Sequence, residues 1–226
     1  MTKNMLWIAA VALAGTGALN AANDAAKRLD EAAAVLTEVM SAPDKGIPQD
    51  LLNKAACIVI VPGLKKGAFV IGAKYGRGFI NCRRSSGQGW SAPAGVKVEG
   101  GSFGFQIGGS ETDVVMLVMN QRGVNKLLSS KFTIGADASA AAGPVGRTSS
   151  ALTDAQMHAE ILTWSRARGL FAGISLEGAT LRPDGDANQE LYNTKTTNKG
   201  IVTGNTKPPA AAAKLEAELN RYSGRK

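Results

Sequence analysis

The sequence predicts an α+β protein, with an antiparallel, barrel-like β-sheet core and flanking N- and C-terminal helices. Short apolar runs broken by glycine-rich turns fill the middle of the chain. The 27 glycines among 226 residues favour a turn-rich β protein over a helix bundle. Helical spacing of apolar residues is clearest towards the two ends. A chain of this length can bury a sizeable core.

The N-terminus has a short charged start, a ten-residue apolar run at 5–14 (MLWIAAVALA) and then small residues. This pattern predicts a signal peptide over 1–21, cleaved near 18–22, and a periplasmic or secreted protein. A membrane span would need about 20 apolar residues. An uncleaved helix packed on the domain is the other reading. Residues 23–40 space Ala25, Leu29, Ala32, Val35, Leu36 and Val39 as one helical face. Pro43 and Gly46 end that helix, and 47–55 reads as a short helix with Pro48 in its first turn.

Strands follow. The runs 57–61, 68–72 and 78–82 predict a three-stranded meander, the first stopping at Pro62-Gly63. Residues 88–95 form a loop carrying Trp90, and 96–98 begin another strand. Residues 100–109 are again punctuated by glycine. The continuous apolar run at 113–120 predicts a strand buried on both faces. Helical spacing returns at 120–129, and 132–139 alternates like a half-buried strand. A tight turn is expected at 142–147, and Thr153-Asp154 reads as a cap. Residues 159–165 and 170–178 predict a hairpin turning at Arg168-Gly169, with a helix through 155–165 as the alternative. One or two helical turns at 186–192 precede a polar linker at 194–209. A C-terminal helix at 210–226 carries Leu215, Leu219 and Tyr222 on one stripe.

Charge is concentrated rather than spread. Between Asp50 and Glu99 there is no acid, whereas Lys54, Lys65, Lys66, Lys74, Arg77, Arg83, Arg84 and Lys97 supply eight positive charges, equal to the net charge of +8. Such a field predicts an anionic partner. Export makes acidic phospholipid the expected one and argues against nucleic acid. An exported chain also permits a Cys57–Cys82 disulfide, and two free thiols packed as small core residues are the other reading.

Catalytic chemistry finds little support. His158 is the sole histidine, and no nucleophile, base and orienting group stand together in sequence. Two cysteines and one histidine make no zinc set without carboxylates. The Gly63-LKKGA stretch lacks a phosphate-loop ending. Asp184 and Asp186 lie in a Pro-Asp-Gly-Asp turn that turn geometry explains. No enzyme activity, metal or cofactor is expected.

Several ordered motifs then become informative together. They are Ile47-P-x-x-Leu51-Leu52, Val59-I-V-P-Gly63, Lys66-Gly67, Gly76-x-Gly78, Gly89-Trp90-Ser91-x-Pro93, Gly100-Gly101-Ser102-x-Gly104-x-Gln106-Ile107-Gly108 and Asp113-x-V-x-L-V-Met119-Asn120. Ala159-Glu160-Ile161-Leu162, Ser165-Arg166-x-Arg168-Gly169-Leu170-Phe171-Ala172-Gly173 and Ser175-Leu176-Glu177-Gly178 continue them. The chain resembles the SYLF domain from about residue 25 to 193, giving a lipid-binding domain over 22–193. The resemblance implies phosphoinositide binding in animal and fungal endocytic members, and filamentous actin binding in fungal ones. Bacterial relatives are typically exported, with phospholipid binding inferred. For an exported protein, actin is not an expected partner.

The expected function is thus non-enzymatic binding of an anionic phospholipid membrane surface at the cell envelope. Lys65, Lys66, Lys74, Arg77, Arg83 and Arg84 would hold headgroups, and either Trp90 or the helix at 23–40 would add apolar contact. The rival is a structural or protein-interaction module of the envelope that uses Trp90 or the C-terminal helix.

Overall fold

The computed structural model describes residues 15–42, 46–68, 71–103, 108–144, 153–167, 170–173 and 176–223. Helix α1 (Gly15–Ser41) and the short α2 (Gln49–Lys54) lead into the long strands β1 (Cys57–Ala68), β2 (Ile71–Cys82), β3 (Ala94–Phe103) and β4 (Gly108–Val118). After α3 (Gln121–Leu127) come β5 (Phe132–Thr133), β6 (Ala140–Ala142), α4 (Asp154–His158), β7 (Ile161–Ala167), β8 (Leu170–Gly173) and β9 (Thr180–Pro183). Helices α5 (Gly185–Tyr192), α6 (Asn198–Thr203) and α7 (Ala213–Ser223) complete the order.

These strands form one sheet curled into a half-barrel, in the order β5-β9-β3-β2-β1-β4-β7-β6, with β8 paired to β7. Every pairing is antiparallel except β6 with β7. The predicted fold class is therefore the observed one. Strand alternation splits the core in two. The inside of the curl holds Val59, Val61, Leu64, Ile80, Met116, Phe132 and Leu181. The other face packs Ile58, Ile60, Phe79, Val115 and Leu117 against α1, α2 and α7. β4 is thus buried on both faces, as its apolar run predicts.

The expected meander is instead one long hairpin. Pro62-Gly63 does not end β1 but is absorbed as a bulge, where the register to β4 shifts between Val61 and Leu64. Gly63 takes a φ of +56°, which suits glycine, and its N–H donates to Asp113 Oδ1 at 2.9 Å. Residues 69–70, within the expected strand at 68–72, lie outside the described residues.

Two further expectations change. Residues 194–209 are not a polar linker throughout, since α6 buries Ile201 and Val202 in the inner core. Asn198 at the start of α6 donates to the Gly95 carbonyl at 2.8 Å and accepts from Asn188 at 2.7 Å. Strand β7 covers Ile161–Ala167, and helix is confined to α4 (Asp154–His158) rather than running to 165, so the hairpin reading holds for β7 and β8. The turn at 168–169, and the turn expected at 142–147 beyond Pro144, lie outside the described residues. So does the apolar run at 5–14.

Cys57 and Cys82 are direct partners across β1 and β2 and form a disulfide with an S–S distance of 2.01 Å. Of the two readings left open by sequence, the bridge is the one found. It closes a loop with a sequence separation of 25. Cys57→Ala/Cys82→Ala is expected to lower stability by about 3 kcal/mol, from the released chain entropy. Urea midpoints with and without reductant check this, and equal midpoints for the wild-type protein would contradict it.

Candidate functional site: the end of the β1–β2 hairpin

The eight cations of the acid-free segment have different fates, and alternation decides most of them. On the helix-covered face, Arg77 of β2 and Lys97 of β3 stand side by side. Both reach Asp184, whose side chain is 1% exposed, at 2.5 Å from Arg77 Nε and 3.3 Å from Lys97 Nζ. Lys97 also meets Asp186 at 3.1 Å. Burial alone would push the Asp184 carboxyl up. The Arg77 hydrogen bond, the Ala187 N–H and the two positive charges outweigh burial and leave it below its ordinary value. The same hydrogen bond raises Arg77. Arg77 is therefore committed inside the fold and is withdrawn from the expected lipid surface.

Arg83 is committed in another way. Its guanidinium lies 3.8 Å from the centroid of the Trp90 ring. It also donates to the carbonyls of Leu52 (3.2 Å) and Ala55 (3.4 Å), and to the carbonyl and hydroxyl of Ser223. One side chain thus ties together carbonyls at the C-terminal ends of α2 and α7. Trp90 is only 2% exposed and belongs to the helix-side core, so the expectation that its ring enters a membrane is corrected. The exposed Arg84 is tethered by Nε to the Trp90 carbonyl at 2.7 Å. The apolar face of α1 is likewise buried, through Leu29, Leu36 and Val39, and is not free for membrane contact.

Lys65, Lys66 and Lys74 remain together at the far end of the hairpin. Lys66 stands directly opposite Lys74, and Lys65 opposite Tyr75. The pairs point to opposite faces, Lys66 and Lys74 inward with Leu64, and Lys65 and Tyr75 outward. Burial and the facing Lys74 charge lower the Lys66 ammonium below its ordinary value. Tyr75 is 48% exposed, a large surface aromatic beside a lysine. Sequence reasoning passed over Tyr75, although its place between Lys74 and Arg77 was visible. Glu111 of β4 stands directly opposite Lys65 on the outward face, its Oε1 within 2.5 Å of where a Cβ on Gly63 would lie, and Asp113 binds the Gly63 N–H and Arg166.

The frame that carries this hairpin end is a curled half-barrel sheet with flanking helices. The profile of the Ysc84 family, described as "Las17-binding protein actin regulator", matches residues 99–222. The chain belongs to this family, the SYLF domain family. An SH3 domain-containing protein of Schizosaccharomyces pombe is 38% identical over 77% of this chain and 41% of its own length. SH3 domain-containing YSC84-like protein 1 of Rattus norvegicus is 33% identical over 89% of this chain and 58% of its own. LAS seventeen-binding protein 3 of Saccharomyces cerevisiae is 34% identical over 76% of this chain and 38% of its own. The chain thus spans less than two thirds of the length of these relatives.

These relatives correct the expected location. They are yeast and mammalian proteins named for SH3 domains and Las17 binding, so a periplasmic or secreted envelope protein is not upheld. Among the described residues, no helix is long and apolar enough to cross a membrane.

Proposed function

We propose that this protein is a non-enzymatic module that binds acidic phospholipid surfaces through the end of the β1–β2 hairpin. Lys65, Lys66 and Lys74 attract the anionic surface, and Tyr75 enters the headgroup layer, where an aromatic ring with a polar tip is well placed. The single observation carrying this reading is the Lys66–Lys74 pair. Two like charges held face to face and partly buried are unfavourable unless an anion joins them.

Liposome co-sedimentation tests it. Lys65→Glu/Lys66→Glu/Lys74→Glu is expected to weaken binding to anionic vesicles by about a hundredfold, at about 1 kcal/mol per lost cation. Added salt should weaken the wild-type interaction as well. Arg77→Gln, which removes a charge already paired, should leave vesicle affinity unchanged in the folded fraction. A triple variant that sediments with vesicles like the wild type would reject the site.

A second reading is favoured by the names of the relatives. Las17 binding and actin regulation point to protein partners. With the exported location withdrawn, the ground for excluding actin goes too. Co-sedimentation with filamentous actin in the absence of lipid, undiminished in the triple variant, would support that reading instead.

A further inference from the structure

At the opposite end of β4 from the β1–β2 hairpin end, the fold leaves one carboxylate oxygen unanswered. A cavity of about 420 Å³ lies there, and its walls include Asn120, Arg122, Lys126, Asp137, Ser139 and Glu160. Most of these groups are already committed. Asn120 caps α3 by accepting the Gly123 N–H at 2.8 Å. Lys126 donates to the Asp137 carbonyl and lies 3.7 Å from Glu160 Oε2. That oxygen also accepts the Ser139 N–H at 3.0 Å. Glu160 is only 8% exposed, yet its Oε1 has no hydrogen-bond partner among the described residues. Arg122 Nε stands 3.4 Å from Oε1, an ion-pair contact not aligned as a hydrogen bond, and the Arg122 side chain is 78% exposed. A buried carboxylate oxygen without a donor costs free energy and is uncommon in a settled structure.

We propose that this cavity binds a free α-amino acid with a polar side chain, its ammonium donating to Glu160 Oε1 and its carboxylate accepting from Arg122. Charge selects this chemistry. The formal charges of Asp137, Glu160, Arg122 and Lys126 sum to zero, so a lone cation meets two positive side chains and a lone anion meets two negative ones. A ligand carrying both signs answers both. Spacing agrees: bond lengths place the nitrogen and the nearer carboxylate oxygen of an α-amino acid roughly 3 Å apart. Glu160 Oε1 and Arg122 Nε, the acceptor and donor that would face them, are 3.4 Å apart. Glu160 is the fixed half of the pair, held by Ser139 and Lys126. Arg122 is the movable half, exposed enough to swing aside and then close on the ligand. Both new contacts are charge-assisted, the stronger class of hydrogen bond. The cavity is within the size range of small-ligand pockets, and its remaining polar walls, with Asn120 and Ser139, suit a hydrogen-bonding side chain.

This site stands apart from the hairpin end and does not depend on a lipid contact there. Isothermal titration calorimetry of the full chain with L-glutamine tests it. N-acetyl-L-glutamine, which lacks the ammonium, and L-glutaminamide, which lacks the carboxylate, are the paired probes. Glutamine should bind, and each blocked form should bind about tenfold more weakly or worse, the effect of one lost hydrogen bond to a charged group. In Arg122→Gln the difference between glutamine and glutaminamide should vanish, while that between glutamine and the acetylated form persists. Arg122 is exposed, so this variant should melt close to the wild type. In Glu160→Gln the difference between glutamine and the acetylated form should vanish instead; if that variant does not fold, Arg122→Gln decides alone. No heat with glutamine, equal binding of glutamine and its two blocked forms, or a glutamine–glutaminamide difference that survives Arg122→Gln would overturn the proposal.

Discussion

Asp184→Ala is expected to lower stability by about 4 kcal/mol, because one buried carboxylate performs two separate tasks. It pairs with the partly buried Arg77 and Lys97, and truncating one side of such a pair costs about 3 kcal/mol by leaving charge uncompensated. It also caps α5, accepting the Ala187 N–H at 3.2 Å, a contact worth about 1 kcal/mol. Asp184→Asn should lose most of the first contribution and keep the second, so the order of urea midpoints is wild type, Asn, Ala. The pH dependence follows from the lowered carboxyl. Its stabilisation is fully present above the unfolded value of about 3.9 and is lost as pH falls through the lower folded value. The acid limb of the stability profile should therefore be shallower in Asp184→Asn. An Asn variant with the wild-type midpoint and the wild-type acid limb would show that the pair contributes nothing.

Asp184 also shows where sequence reading stops. Locally, Pro183-Asp184-Gly185-Asp186 is a turn, and turn chemistry explains its acids without any partner. The partner is Arg77, 107 positions earlier, brought close because β9 pairs with β3 and β3 with β2. The acid-free segment is real, but its neutrality is restored by acids from elsewhere in the chain. Counting charges therefore overstated the anion-binding surface, and only the hairpin end keeps its cations together. Pro62-Gly63 is a similar case: proline lacks a donor and glycine favours positive φ, so the pair reads as a strand end. Asp113, on a strand about 50 positions later, accepts the Gly63 N–H and lets the strand continue through a bulge. Trp90 misleads for the opposite reason. A tryptophan in a polar loop looks like a surface anchor, yet Arg83 covers its ring and the helices bury it.

What was legible rests on period. Leu29, Leu36 and Val39 follow the helical repeat and lie in the helix-side core, and Leu215 and Leu219 do the same on α7. The run at 113–120 has no polar face and becomes the strand sandwiched between both cores. Cys57 and Cys82 flank a stretch of strands, but their exact opposition depends on a register that no local pattern fixes. Family motifs reached further than periodicity did, since a long ordered set of matches carries tertiary information that single elements lack.

The largest single-residue effect is expected at Trp164, and it involves a glycine on the neighbouring strand edge. Trp164 is fully buried in the helix-side core, and its Nε1 donates to the Pro144 carbonyl at 2.9 Å. A Cβ added at Gly143 would meet the ring at 2.0 Å, so this glycine exists to let the indole pass. Trp164→Ala should cost about 4–5 kcal/mol through the cavity and the lost packing. Gly143→Ala should cost about 3 kcal/mol by overpacking, since the obstacle is a rigid ring in a closed core. The two must couple: in Trp164→Ala, the further change Gly143→Ala should be nearly free or even favourable, because it faces the cavity just made. A double-mutant cycle from urea midpoints measures that coupling. If the two costs simply add, the close approach of backbone and indole is not what requires glycine at 143.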